Sequence, residues 1–220
     1  MPVEPSLVNS MRVPISIILV GIATLLTGAS GPSASQPNAK SKPPRTILII
    51  RHAEKTDDPD DLHLSKPGQE RAEHLRELFK ASPHRPKPFP VPDFIFAARN
   101  TKQSHRPLDT VTPLAKALEL PVNTQFRNQS LDDPPDTNRK TQRELSDEIL
   151  TSGKYAGKTV LIAWHHGTLP ELARLLGAAD CPKKWKAPVF DRVWQITYDE
   201  RGQATFADLP QQLLAGDATK

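Results

Sequence analysis

The chain has 220 residues, one cysteine and a formal net charge of +4. The single cysteine, Cys181, excludes an intrachain disulfide and a metal site built from several thiolates. The lysines and arginines are dispersed, without the basic stripe and interleaved aromatic side chains of a nucleic-acid-binding surface, so we expect no nucleic-acid partner. A small anionic substrate is the better use of local positive charge.

The N-terminal residues differ in composition from the rest of the chain. Residues 15–29 form an apolar segment that is short for a membrane span and has the length of a signal-peptide core. Small residues follow it, with cleavage expected near Ser30 or Ser35. We therefore expect residues 1–30 to be a signal peptide and the chain to be exported, into a periplasm or the medium. The alternative is an uncleaved N-terminal anchor, which would attach the chain to a membrane.

The next segment, residues 31–45, is rich in proline, serine and lysine, a composition typical of a flexible linker. Residues 46–220 remain for a folded domain, which is long enough to bury a hydrophobic core.

Predicted strands alternate with predicted helices from residue 46 onward. In chain order they are strand 46–50, a helix from near Pro67, strand 93–98, a helix after Pro113, a short strand in 122–126, a helix ending at Gly153, strand 159–164, a helix in 168–178, and strands 192–199 and 204–209. This order predicts an α/β fold, a three-layer α/β/α sandwich with a mostly parallel sheet. The last two strands would add an antiparallel edge.

Arginines and histidines follow three of these strands. Arg51 and His52 come directly after the first strand, "RNTKQSHR" (99–106) follows the second, and the histidine pair 165–166 follows strand 159–164. Ligands of such sheets bind beyond the carboxyl ends of the strands. We therefore expect these side chains to share one pocket.

This set of side chains suits a phosphoryl group. Arg51 and Arg106 can each bind non-bridging oxygens bidentately, which a lysine cannot do. A histidine with a free ring nitrogen can attack phosphorus in line and form a phosphohistidine. The arginines and a second histidine would stabilise the charge that develops on the equatorial oxygens.

We expect no metal and no other cofactor, because these cations can do the electrostatic work of a metal ion. A metal site made of His52, His165, His166 and Glu54 is the weaker alternative, since the adjacent arginines would repel a cation.

Four segments resemble, in the family's order, the motifs of the histidine phosphatase superfamily. They are "LIIRHAEK" (48–55), "LSKPGQERAEHL" (64–75), "SHRPLDTVTPLAKAL" (104–118) and "VLIAWHHGTLPELARLLG" (160–177). Together they span most of the chain from Thr46 to Gly177. The resemblance implies a phosphoglycerate-mutase-like fold.

The resemblance also implies roles for particular residues. His52 would be the nucleophile that accepts the phosphoryl group, and Arg51 and Arg106 would bind phosphate. One histidine of the pair would bind phosphate and stabilise the transition state. We favour His166, because relatives with a Trp-x-His ending place the functional histidine before a small or polar residue. An alignment on the following Gly-Thr favours His165 instead.

Other assignments are less direct. Arg99 competes with Arg106 for the second phosphate-binding position, because the segment between strand 93–98 and Arg106 is longer than in typical members. We also assign Glu54 and His165 to the substrate-binding set, with Glu54 expected to pair with an arginine or to position His52. Ala53 stands where the family usually has glycine.

No general acid can be assigned. The family's glutamate lies in an insertion, and the nearest carboxylates in the corresponding segment 126–140 are Asp132 and Asp133. The same segment has the composition of a solvated loop. Without a proton donor the leaving group departs poorly, which would favour esters with good leaving groups.

The sequence thus predicts a metal-independent phosphomonoester hydrolase that acts on a small phosphorylated substrate through a phosphohistidine at His52. One alternative is a phosphoglycerate-mutase-type phosphotransferase, disfavoured because the chain lacks the longer cap insertion and its export separates it from cytoplasmic sugar phosphates. The other is a phosphate-binding module with little or no catalysis. The sequence does not identify the substrate.

Overall fold

The computed structural model describes residues 42–128 and 141–219. The expected signal peptide, most of the linker, and both Asp132 and Asp133 lie outside the described residues. Within the described part of the chain, no helix has the length and apolar character needed to cross a membrane.

The strands form one six-stranded sheet, in the order β3-β2-β4-β1-β5-β6. Their bounds are β1 Thr46–Arg51, β2 Phe94–Ala97, β3 Val122–Asn123, β4 Thr159–Trp164, β5 Arg192–Tyr198 and β6 Ala204–Pro210. Strands β1 to β4 are mutually parallel, while β5 and β6 run antiparallel and close one edge. The mostly parallel sheet and its antiparallel hairpin are both confirmed.

Four α-helices connect the strands within the described residues: α1 Lys66–His74, α2 Arg106–Ala117, α3 Gln142–Thr151 and α4 Leu169–Leu175. A 3-10 helix, Leu75–Phe79, continues α1. Ser65 caps α1 by accepting a hydrogen bond from the Gly68 N–H at 3.3 Å. A capping box formed by Thr141 and Glu144 starts α3.

Helices cover both faces of the sheet, which confirms the three-layer arrangement. Successive side chains of β1 point to opposite faces and are all buried. Ile47 and Ile49 pack in a core with residues of α3 and α4. Leu48 and Ile50 pack in a second core with the 3-10 helix and α2. Each core buries enough apolar surface to hold its helices on the sheet.

The prediction that the regular helix follows Pro113 is wrong, because α2 begins at Arg106 and includes this proline. Proline removes one backbone donor from a helix. The apolar face of α2 is nevertheless buried on the sheet, with Val111 and Leu114 at most 1% exposed. Their burial outweighs the lost hydrogen bond and keeps the helix continuous through residue 113.

Candidate active site

The sheet brings the segments after β1 and β4 together at one edge. Arg51 pairs with Trp164 in the parallel register, and the backbone N–H of His52 donates to the Trp164 carbonyl at 3.0 Å. Because β1 and β4 are parallel, the segments that follow them leave the sheet at the same end. As a result, the rings of His52 and His165 lie with centroids 5.4 Å apart, edge to face.

One hydrogen bond fixes the tautomer of His52. Its Nδ1 lies 2.7 Å from the carbonyl oxygen of Ala53. A carbonyl only accepts hydrogen bonds, so Nδ1 carries the proton and Nε2 keeps a lone pair. The side chain is deeply buried, since only 3% of the residue is exposed.

The surroundings of His52 keep its ring neutral. Burial lowers the pKa of His52 to about 3, and although the bond to Ala53 opposes this shift, the nearby His165, Arg51 and Arg106 add to it. The ring therefore offers a lone pair at neutral pH without first losing a proton.

Arg51 is held by the loop that precedes β5. Its Nη1 donates to the carbonyls of Ala187 and Val189, and its guanidinium carbon lies 3.8 Å from the centroid of the Phe190 ring. Burial lowers the pKa of Arg51 to about 10, so the side chain remains cationic at neutral pH. Its Nε is buried and has no hydrogen-bond partner within the described residues.

Arg106 lies at the first turn of α2. Its Nη1 donates to the Asp61 carbonyl at 2.8 Å and its Nη2 to the Gln103 carbonyl at 3.3 Å. Its Nε, like that of Arg51, is buried without a partner among the described residues. Buried donors are normally hydrogen-bonded, so two such arginine N–H groups at one edge favour an anion as their partner.

The structure distinguishes the two candidates for the second arginine. Arg106 is close enough to His52 and His165 to lower the pKa of both rings. Arg99 is exposed on the loop after β2 and lines a separate cavity. Of the two, Arg106 is the one brought to His52.

Thr110 connects the loop that carries His52 to Arg106. Its Oγ1 accepts from the backbone N–H of Ala53 at 2.9 Å and donates to the carbonyl of Arg106 at 2.7 Å. A threonine stands four residues after Arg106 in the sequence, but the sequence alone does not assign a role to it. Only the packing of α2 against this loop reveals the connection.

Both histidines of the pair lie directly after β4. Strand β4 ends at Trp164, so both histidines lie in the following turn, where strand periodicity no longer selects one of them. His165 contacts His52, and burial followed by the charges of Arg106, His166 and Arg51 lowers its pKa to about 4. His166, which the sequence favours, has no ring contact with His52 among those the structure shows, and both histidines are half-buried.

Glu54 forms an ion pair with an arginine, which is one of the two roles expected for it. Both its carboxylate oxygens accept from Arg71, at distances of 2.7 to 3.0 Å. Arg71 also bonds Gln211 and Asp217 of the C-terminal segment. The contacts of the Glu54 carboxylate are therefore with Arg71, a residue 4% exposed.

Segment 64–72 braces the loop that carries His52. The Ser65 N–H donates to the Glu54 carbonyl at 3.0 Å, and Ala53 packs with Leu64 and Ala72 in a small apolar cluster. A Cβ at Gly68 would lie only 2.2 Å from the Glu54 carbonyl oxygen. A glycine at position 68 is what lets α1 approach this loop so closely.

None of the described residues at the site can be assigned as the proton donor for the leaving group. Asp61 lies beside Arg106, but hydrogen bonds from the His63 N–H and the Thr56 hydroxyl hold its pKa below the ordinary value. An ionised carboxylate cannot donate a proton. Across residues 42–128 and 141–219, no group of three or more His, Cys, Asp or Glu side chains is arranged to hold a metal ion.

The fold and site define a three-layer α/β/α domain with a neutral histidine beside two arginines and a second histidine. No protein-family model matches the chain, and no curated protein sequence matches it. Solved structures of phosphatases and of a phosphoglycerate mutase are similar to it at low identity.

Three of these structures illustrate the range. A mycobacterial glucosyl-3-phosphoglycerate phosphatase with inorganic phosphate is 15% identical, with a TM-score of 0.41 over 74% of this chain and 95% of that one. The protein histidine phosphatase SixA with tungstate is 16% identical, with a TM-score of 0.40 over 76% and 97%. A phosphoglycerate mutase from Plasmodium falciparum is 11% identical, with a TM-score of 0.45 over 79% and 95%.

Proposed function

We propose that the chain is a phosphomonoester hydrolase of the histidine phosphatase type, with His52 as the nucleophile. The observation that carries this proposal is the state of His52: a buried, neutral ring whose Nδ1 is committed to the Ala53 carbonyl. Its unprotonated Nε2 belongs to a site with Arg51, Arg106 and His165 as neighbours. Few arrangements of side chains suit in-line attack on a phosphate ester as well.

In the first step Nε2 of His52 attacks phosphorus while the bond to the ester oxygen breaks. The electron pair of that bond leaves with the alcohol or phenol oxygen, which departs as an anion and then takes up a proton from water. Arg51 and Arg106 bind the non-bridging oxygens, and the ring N–H of His165 donates to one of them. In the second step water attacks phosphorus, the P–N bond breaks with its electron pair returning to Nε2, and inorganic phosphate leaves as one proton of the water passes to solvent.

The unassigned general acid limits which esters react. Glu54 is bound to Arg71, and the low pKa of Asp61 leaves it without a proton to give. We infer that a leaving oxygen departs mainly as an anion, so turnover rises as the leaving group becomes more acidic.

The test is phosphate release from a series of aryl and alkyl phosphates. We expect wild-type protein to hydrolyse the aryl esters faster than the alkyl esters, and His52→Ala to lose at least about a thousandfold in kcat. His84→Ala is the control, because His84 is exposed in the loop that leads into β2, away from the site. Equal turnover by His52→Ala and wild type would rule out this nucleophile.

A phosphate-binding module is the second candidate, favoured by the same unassigned acid. It predicts that inorganic phosphate binds in calorimetry while none of the esters is turned over. Release of phosphate from any ester in the series, abolished by His52→Ala, decides against it.

We further propose that the domain works outside the cytoplasm, on the basis of the apolar segment 15–29 and the small residues after it. N-terminal sequencing of the protein, purified from the organism that naturally produces it, tests this. A mature chain that begins near Ser30 or Ser35 supports export with cleavage, and an intact N-terminus on a cytoplasmic protein contradicts it.

A further inference from the structure

A cavity of about 780 Å³ lies beside the candidate active site. Its wall includes the cationic side chains of Arg99, Lys102 and Arg127, and no aspartate or glutamate is among its described lining residues. Such a concentration of one sign of charge around a concave surface attracts anions.

On one side the cavity shares its wall with the loop that holds Arg106. Arg106 donates to the carbonyl of Gln103, a residue of the cavity wall, at 3.3 Å. The His105 N–H donates to the Leu62 carbonyl at 2.9 Å, and both of these residues also line the cavity. One wall of the cavity is therefore continuous with one side of the phosphoryl site.

On the other side the cavity meets the turn that carries His165. Asn128 lines the cavity, and its side-chain oxygen accepts from the hydroxyl of Thr168. The backbone N–H of Thr168 in turn donates to the carbonyl of His165 at 3.3 Å. The cavity is thus flanked by both loops that supply the second arginine and the second histidine.

Two of the cationic side chains, Arg99 and Lys102, come from segment 99–105. This segment is longer than in typical members of the family that the chain resembles. An isolated β-bridge between Thr101 and Ser104 orders this segment. The side chains of Arg99 and Lys102 have no ion-pair partner among the described residues. They are available to a ligand at little cost in broken contacts.

We propose that this cavity binds a second anionic group of the substrate, so that the preferred substrate is a phosphate ester that also carries a carboxylate or a further phosphate. The proposal rests on the proposed function, because His52 must act on the first phosphate. It adds the substrate class, which the residues around His52 do not specify.

Three esters test it: phenyl phosphate, which has no second charge, and 4-(carboxymethyl)phenyl phosphate and 4-(phosphonomethyl)phenyl phosphate, which each carry an added anionic group. A methylene group separates the added charge from the ring, which keeps the leaving phenols similar. We expect wild-type protein to show lower KM values for the two charged esters. In Arg99→Ala/Lys102→Ala, KM for the charged esters rises about tenfold or more while kcat and the KM for phenyl phosphate stay unchanged.

The matched control is Lys116→Ala/Arg201→Ala, which removes the same two residue types near the end of α2 and in the β5–β6 turn. Both residues are exposed and lie at the end of the sheet opposite to the candidate active site. This control should leave every KM unchanged. If the carboxylate and phosphonate esters differ, their order shows which anion the cavity prefers.

A binding measurement keeps the two proposals separable. In calorimetry p-xylylenediphosphonate should bind wild-type protein more tightly than benzylphosphonate, and Arg99→Ala/Lys102→Ala should abolish the difference. Equal KM values for the three esters, or equal affinities for the two phosphonates, would overturn the second anion site while hydrolysis of phenyl phosphate still supports the function. No turnover of any ester, with the affinity difference intact, would overturn the function but not the second anion site.

Discussion

At position 52, one hydrogen bond decides which ring nitrogen can act. The Ala53 carbonyl accepts from Nδ1 and leaves Nε2 with the lone pair. Burial then keeps the ring neutral, with a pKa of about 3 in place of 6.5. The chemistry of this residue comes from its backbone neighbour and its burial, and not from an adjacent general base.

Several of these residues could be identified from sequence and others could not. Arg51 and His52 stand at the end of a strongly apolar strand, a pattern that predicts a site directly. The choice between His165 and His166 could not be made, because it depends on where β4 ends and how the next turn closes. The role of Thr110 needs the contact between α2 and a loop 57 residues away.

Thr110→Val tests the link between Ala53 and Arg106. Valine keeps the shape of the side chain but leaves the buried Ala53 N–H without its acceptor, which should cost about 1 to 3 kcal/mol in the free energy of unfolding. We also expect kcat to fall, because the loop that carries His52 loses its tie to Arg106. Urea unfolding and steady-state kinetics measure the two effects. Thr110→Ser keeps the hydroxyl, so equal behaviour of the two variants would refute the link.

At the scale of elements, the segment after β1 is shaped by the element that follows it. Helix α1 and its cap approach this segment through Gly68, Ser65 and Ala72, while Arg71 binds the Glu54 carboxylate. The sequence shows these residues as a motif, and the structure shows that they support the loop that carries His52. The strands and most helices were predicted from periodicity, but α2 was not bounded correctly, because burial of its apolar face overrides Pro113.

Gly68→Ala tests the brace. The new Cβ would meet the backbone of Glu54 at 2.2 Å, and since backbone cannot move aside as a side chain can, α1 must shift. We expect a loss of about 1 to 3 kcal/mol in unfolding free energy and lower activity from a displaced His52. Glu73→Ala, on the exposed face of the same helix, should change stability by no more than about 0.5 kcal/mol. Wild-type activity in Gly68→Ala would show that the close approach is not needed.

For the whole molecule, His52 and His165 couple stability to pH. Folded His52 and His165 have pKa values of about 3 and about 4, whereas the ordinary value is 6.5. As pH falls from 6.5 towards 4, the unfolded chain therefore binds more protons than the folded one, and the folded state loses stability. Well above pH 6.5 both states are neutral at these positions and the effect vanishes.

Urea unfolding in phosphate-free buffer between about pH 7 and about pH 5 measures this coupling. We expect each histidine to contribute a slope of up to about 1.4 kcal/mol per pH unit within the acidic window. His52→Ala/His165→Ala should be less stable at pH 7 but lose stability less steeply on acidification. Parallel curves for the variant and wild type would contradict the buried, neutral state of these rings.

The central claim is that Nε2 of His52 takes the phosphoryl group from the substrate. Its most direct test is to react the protein with 4-nitrophenyl phosphate, quench it in alkaline denaturant, which preserves phosphohistidine, and locate the modification by tandem mass spectrometry. We expect a phosphoryl group on His52 in wild-type protein and none in His52→Ala. Phosphorylation of another residue, or turnover with no trapped phosphohistidine at position 52, would contradict it.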